Sequence, residues 1–350
     1  MKHSFFENRG MWLKGNVHSH TTVSDGVCEP ARQIRDYRDR GYDFLAVTDH
    51  NIMDSFQQEL EGICLIPGWE RDITYSKTKC VHLVGLSGRP AGEQKAFSME
   101  RPDPSEVTVQ QLTDSMRADG QFVVLAHPVF SRMEAEEISG LTGYQAIEVF
   151  NMGCERICHA GRADVYWDML LREGRRVLGI ACDDTHGKTQ KSDRFGGWIS
   201  VNAREKSGPA IMEAVGDGNF YSTMGPEIYD WGIEDGAIYV CCSPVKEIHF
   251  VTYPPRGAAH YAGENMMTGD RYELKGAEAY VRVECVDAFG NTAWTNPAFA
   301  EELGRRDLEG VKSRGDRFVS RCPLFLGTFS AYPGIRPYVI PSHTSTTWSC

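Results

Sequence analysis

From residue 11 to about residue 228, short apolar runs alternate with stretches whose apolar residues recur every three or four positions. The runs at 13–17, 44–48, 64–67, 81–86, 122–126, 146–150 and 177–181 are short and rich in apolar and β-branched residues. Buried parallel strands read this way. Helical spacing fills several gaps between them. The segment 30–40 opens on Pro30 and stops at Gly41, 107–119 stops at Gly120, and 163–173 stops at Gly174. Proline at the first turn and glycine just past the last are helix boundary signals. Strand–helix alternation of this kind predicts an α/β barrel or an open parallel sheet over residues 1–228.

The pattern changes near residue 229. Segments 238–242, 248–251 and 279–286 read as strands with turn residues between them, including Gly290-Asn291 after the last. Some 70 residues without helical spacing predict a small β-sandwich-like domain over 229–300. Residues 301–350 have no clear apolar periodicity and read as a poorly ordered tail.

Composition narrows the function. A chain of 350 residues has room for about two domains. At 41% hydrophobic it can bury a sizeable core, which excludes fibrous and wholly disordered classes. The 37 Lys and Arg against 48 Asp and Glu give a net charge of −11, which argues against stable binding of duplex nucleic acid. A small anionic substrate stays open, because bound metal ions reverse the local sign. No apolar run reaches the roughly 18 residues of a membrane span, and the start lacks a signal-peptide core. Eleven cysteines without a C-x-x-C pair read as reduced thiols of a cytoplasmic protein. The oligomeric state is not legible.

The chemistry lies where the apolar runs end. His18 and His20 sit at i and i+2, on one side of a strand end. The turn Ser24-Asp25-Gly26 can return a carboxylate to them. Strand 44–48 runs into Asp49-His50, the third run into Glu70, and His82 lies within the fourth. Strand 122–126 leads into His127, and 177–181 leads into Asp183-Asp184-Thr185-His186. In barrels, side chains at C-terminal strand ends converge on one face. His18, His20, Asp25, His50, Glu70, His82, His127, Asp184 and His186 therefore form a candidate set of imidazole and carboxylate ligands without cysteine. Such a set suits Zn, Mn or Fe better than Ca or Cu(I). Nine ligands exceed the need of one ion, so two or three divalent ions are expected.

His18-Ser19-His20, Ser24-Asp25-Gly26, Thr48-Asp49-His50, Ala126-His127-Pro128 and Asp184-Thr185-His186 resemble, in order, the motifs of the PHP (polymerase and histidinol phosphatase) superfamily. The run 17–26 and the later Asp-Asp-Thr-His-Gly and Gly-Gly-Trp segments look most like its CehA/McbA-type branch. The resemblance covers about residues 11–228. It implies a distorted (β/α)7 barrel of PHP type, followed by a β-rich extension. It also implies a division of ligands: His18, His20, Glu70 and Asp184 on a first ion; Glu70 bridging to a second held by His82 and His127; Asp25, His50 and His186 on a third. Many relatives carry His where this chain has Asp25. Asp49 and Asp183 are expected to orient imidazole N–H groups.

Such a cluster favours hydrolysis, since adjacent ions activate water and stabilise an in-line transition state. No G-x-S-x-G elbow or P-loop offers another route. The expected activity is a metal-dependent phosphoesterase acting on a small phosphorylated metabolite or nucleotide, with Glu70 and Asp184 at its centre. Lys188, Lys191 and Arg194 follow the last ligand pair and are candidates to meet phosphate; Arg156 and Arg162 are others. His159 is a candidate leaving-group acid, and Trp198 reads as a core aromatic. The alternative is a metal-dependent amide, carbamate or ester hydrolase of the CehA/McbA type. A third class is a metal-binding module without turnover.

Overall fold

The computed structural model describes residues 2–53, 62–90, 93, 96–254 and 257–303. The expected tail lies outside the described residues from 304 onward.

The predicted alternation of strand and helix is present. One sheet runs in the order Leu178–Cys182, Ala146–Asn151, Phe122–Ala126, Lys79–Leu86, Cys64–Ser76, Phe44–Val47, Met11–Asn16, Trp198–Ala203 and Phe220–Thr223. Strands Met11–Asn16, Phe44–Val47 and Cys64–Ser76 pair in parallel, as do Phe122–Ala126, Ala146–Asn151 and Leu178–Cys182. Beyond the strands, Ser19 bridges Thr185, which joins the chain after Met11–Asn16 to the chain after Leu178–Cys182. The helices fall where the boundary residues put them. Pro30–Asp39 starts on its proline, Val109–Ala118 is closed by a Thr108–Gln111 capping box, and Asp164–Arg172 follows Ala163.

The sheet departs from an all-parallel arrangement in one place that matters. The run at 64–67, which reads as a short strand, is the first third of a strand ending at Ser76. It folds back on Lys79–Leu86 as an antiparallel hairpin, and that strand pairs antiparallel with Phe122–Ala126. Pro67-Gly68 looks like a strand end but lies inside the strand, with the Pro67 carbonyl accepting from the Ser87 N–H at 2.8 Å. The residues that follow alternate strictly. Ile66 packs in the inner core and Glu70 follows on that face, whereas Trp69 and Ile73 pack in the outer one. Strand register thus places Glu70 and Asp72 inward and Arg71 outward.

Beyond residue 228 the strands form two layers, but one layer is not separate. Phe220–Thr223 pairs with Thr292–Thr295, so the large sheet continues through Tyr280–Val286, Glu247–Tyr253 and Ala258–Tyr261. The second sheet contains Lys2–Ser4, Ile228–Glu234, Ala237–Val245 and Met267–Glu273. Phe6, Trp231, Ile238, Val240, Ile248, Phe250, Val281 and Val283 fill the space between the layers.

One buried ion pair ties these strands to the earlier helices. Arg282 is only 1% exposed. Its Nε and Nη2 each donate at 2.8 Å to the Asp168 carboxylate in helix Asp164–Arg172. Its Nη1 meets Glu284, and its guanidinium lies 4.7 Å from the Trp167 ring centre. Removing the cation leaves two carboxylates facing each other in a site with little water. Arg282→Ala is therefore expected to lower the unfolding free energy by about 3–5 kcal/mol. Urea denaturation checks this, and a loss below about 1 kcal/mol would show that the pair is dispensable.

Candidate metal centre

Three structural devices bring the strand ends together. Positive φ at Asn51, His127 and Asp184 turns the chain sharply just after the strands that carry them. Residues other than glycine seldom adopt this conformation, and functional sites are where it concentrates. Gly26 lets the Asp25 turn press on His20, since a Cβ there would stand 2.6 Å from the His20 carbonyl oxygen. The third device is a set of buried carboxylates that hold loops. Asp49 accepts from Thr21 N–H at 2.8 Å, Thr21 hydroxyl at 2.6 Å and Ser24 hydroxyl at 2.5 Å. Asp183 accepts from Tyr37 and from the N–H groups of Phe195, Gly196 and Gly197. Asp193 accepts from Thr185, His186 and Gly187.

The nine residues singled out from the sequence converge. Glu70 is buried at their centre. Its Oε1 lies 2.7 Å from His82 Nδ1, 3.2 Å from His127 Nε2 and 3.4 Å from His18 Nε2. Its Oε2 lies 3.2 Å from His20 Nε2 and 3.1 Å from His50 Nδ1. Asp184 Oδ1 lies 3.2 Å from His18 Nε2 and 3.1 Å from His20 Nε2. Asp25 Oδ1 lies 3.3 Å from His186 Nε2, 3.7 Å from His50 Nε2 and 3.8 Å from His20 Nδ1.

This geometry suits metal ions better than mutual hydrogen bonding. Two imidazole nitrogens, His18 Nε2 and His20 Nε2, face each other at 3.1 Å. Donors about 2.0–2.1 Å from one ion come this close to each other. His20 Nδ1, His50 Nδ1 and Asp184 Oδ1 are buried without a well-directed hydrogen bond, although oxygens or nitrogens surround them. Orphaned atoms of this kind are costly unless they face a ligand. Several groups of side chains present their donor atoms within 4.8 Å of one another, among them His20, Asp25, His50 and His186; His18, His127 and Asp184; His18, His20 and Glu70; and His50, Glu70 and His82.

The expected loop cations and acid fall elsewhere. Arg194 Nη1 pairs with Asp36 at 2.9 Å, and its Nε faces the Thr185 hydroxyl. His159 caps its short helix, 91% exposed in its side chain, beside Glu155. Arg156 donates to the Ser192 carbonyl, and Arg162 reaches Thr292. Lys191 is exposed, and Trp198 packs against Tyr42 under the Lys14 ammonium. Lys188 alone of these cations reaches the cluster, 2.9 Å from Asp25. Asp49 and Asp183, expected to orient imidazoles, hold loops instead.

The imidazole partner is Glu148, which the apolar run at 146–150 conceals. It is 1% exposed. Its Oε1 takes His18 Nδ1 at 2.6 Å, and its Oε2 accepts from His127 N–H and Asn151 Nδ2, both at 2.8 Å. This fixes the His18 tautomer with Nε2 toward Glu70. Asp72 is a second such carboxylate, 3.6 Å from His50 and paired with Arg101 and Asn51. Thiols also line the cluster. Cys80 lies 3.1 Å from His82 Nε2, Cys154 lies 3.8 Å from Asp184, and Cys182 groups with His18 and Glu148.

Electrostatics follow the packing. Burial opposes charge on His20, but the Asp184 and Glu70 carboxylates beside it overcome this and raise the imidazole to about 9. His18 and His82 are raised in the same way, against burial, by the carboxylates beside them. Burial opposes charge on Glu70 and Asp184 too, yet the surrounding imidazoles hold both below the ordinary carboxylate range.

No family model matches the chain, and no curated protein matches it. Solved structures do match. A two-domain protein from Bacteroides vulgatus, described as containing a predicted PHP-like metal-dependent phosphoesterase, is 14% identical with a TM-score of 0.44. The match covers 85% of this chain and 98% of that one. A putative metal-dependent phosphoesterase from Bifidobacterium adolescentis is 15% identical over 51% of this chain and 89% of its own, with a TM-score of 0.37. An amidohydrolase from Chromobacterium violaceum, described with bound sulfate and no metal, is 18% identical. That match covers 49% of this chain and 87% of the other, with a TM-score of 0.35.

Two outcomes follow from the cluster. Glu148→Gln is expected to weaken divalent-metal affinity by about 10–100-fold, as loss of an outer carboxylate does; competition with a chelating dye measures it, and unchanged affinity would refute the role. The second concerns pH. His20 titrates higher folded than unfolded, so in metal-free protein its stabilisation is complete below pH 6.5 and fades as pH rises through about 9. Metal must displace that proton, so apparent affinity should climb over the same interval. Titration calorimetry in two buffers of different ionisation enthalpy would show the proton release.

Proposed function

We propose that this chain is a metal-dependent phosphoesterase of the PHP type, built on a distorted (β/α)7 barrel with a β-sandwich-like C-terminal part. The observation that carries the reading is the buried Glu70 carboxylate, with three imidazoles on one oxygen and two on the other. A carboxylate placed this way suits a bridging ligand between neighbouring ions. Two or three divalent ions (Mn, Zn or Fe) fit the donors. His18, His20, Glu70 and Asp184 would hold one, His82 and His127 with Glu70 a second, and Asp25, His50 and His186 a third. The CehA/McbA branch is part of this proposal. When bound, such ions supply Lewis-acid charge to a phosphoryl or carbonyl oxygen and activate water near neutral pH.

The protein's own groups suit an anionic ester. Lys188 and Arg101 are half exposed, one on Asp25 and the other on Asp72, on either side of His50. They are placed to bind and orient the anionic oxygens of a small phosphoester. His159 and Arg194 have no part in this arrangement, because their contacts lie elsewhere. One observation favours the second reading, hydrolysis of an amide, carbamate or ester. The partly exposed Phe130 ring stands edge-on to His127, with centroids 5.5 Å apart, and offers an apolar wall.

Phosphate release by metal-stripped protein reloaded with Mn²⁺ tests the proposal against nucleotides, sugar phosphates and aryl phosphates. Asp184→Asn is expected to lower kcat/KM by more than about 100-fold, and Arg101→Ala to raise KM about tenfold with little change in kcat. Hydrolysis of aryl carbamates or esters by the same protein, without phosphate release, would establish the second reading instead.

A further inference from the structure

A cavity of about 540 Å³ lies behind the Glu70 strand, on the face opposite the cluster. Its size falls in the range of small-molecule sites. Trp69, Phe97, Leu112 and Met116 give it an apolar wall. Arg71 also lines it, and Arg71 is only 3% exposed.

The state of Arg71 is unusual. Among the described residues it makes no ion pair, whereas the buried Arg282 has two carboxylates. Its Nη1 donates to Asn51 Oδ1 at 2.7 Å and to the Glu100 carbonyl at 3.1 Å. Its Nε is buried without a hydrogen bond. Its guanidinium lies 5.0 Å from the Trp69 ring centre. A buried guanidinium without an anion is expensive. Nε is enclosed by protein, whereas Nη2 is not, and Nη2 has no hydrogen bond among the described residues; it is the group left to take an oxygen of an anion. The other charged groups at this cavity, Arg89, Glu93 and Asp119, are exposed. Arg71 is therefore the one buried charge among the described lining residues.

We propose that this cavity binds a small amphipathic carboxylate, with its acid group on Nη2 of Arg71 and its apolar body against Trp69, Phe97, Leu112 and Met116. A monoanion fits a single buried cation in apolar surroundings better than a phosphate dianion does. The site is independent of the reaction proposed for the metal centre. It is coupled to that centre in space, because Arg71 holds Asn51, whose Nδ2 donates to Asp72 at 2.9 Å beside His50.

Calorimetric titration of the full chain with 3-phenylpropionate, indole-3-acetate and octanoate tests it, with 3-phenylpropanamide as the uncharged control. Saturable one-to-one binding of at least one acid is expected, with the amide weaker than 3-phenylpropionate by about tenfold or more. Arg71→Gln should weaken the acid by a similar factor, and Met116→Trp, which fills the cavity without touching the charge, should abolish it. Should one variant fail to fold, the other and the amide decide. Equal binding of acid and amide, or no saturable binding of any of the three acids, would overturn the proposal. So would binding unchanged in both variants, which would place the acid at the metal centre.

Discussion

Everything at the cluster depends on keeping the Glu70 and Asp184 carboxylates ionised where water cannot reach them. A lone carboxylate so deeply buried would take up a proton rather than bear the desolvation cost. Here imidazoles crowd each one, and the pKa displacements run in opposite directions for acid and base. Each side of the pairing makes the other tolerable. The same crowding defines a space into which cations of higher charge fit. Pairing among themselves and ligation of an ion would be two uses of one arrangement.

That arrangement is expensive to position, and the fold meets the cost outside the ligand set. Asp49, Asp183 and Asp193 satisfy backbone N–H groups of loops that would otherwise drift. Glu148 fixes one imidazole and, through the His127 N–H, the backbone of another ligand. The strands supply direction, and the buried acids supply distance.

The residues that cluster were legible in the sequence, because a polar residue at the end of an apolar run breaks it and so announces itself. His18, His50, Glu70, His127 and Asp184 all carry that signal. Asp25 was legible from a turn, and the structure brings it onto three imidazoles. Glu148 was hidden inside a run otherwise made of Ala, Ile, Val and Phe, where one acid looks like noise; an acid within a fully buried strand was the available clue. The hairpin from Cys64 to Leu86 was hidden for another reason. Pro67-Gly68 imitates a terminus, and only the alternation from Gly68 to Ile73 shows that the strand goes on. The loop cations misled because Arg194 answers to Asp36, a partner 158 residues earlier that no local pattern reveals. Arg101, which does reach the cluster's edge, stands far from any motif.

Both sheets join early chain to late chain. In the large sheet Met11–Asn16 pairs with Ile199–Ala203, and in the second sheet Lys2–Ser4 pairs with Gly232–Glu234. A ribosome adding 5–20 residues per second finishes those partners roughly 10–40 s after the first strand has emerged. For that time His18 and His20 follow a strand with one edge unmatched, and the cluster cannot close until residue 186 has been made. Closure of the cluster is consequently an event of late synthesis, and an ion offered earlier would meet only a fragment of the set.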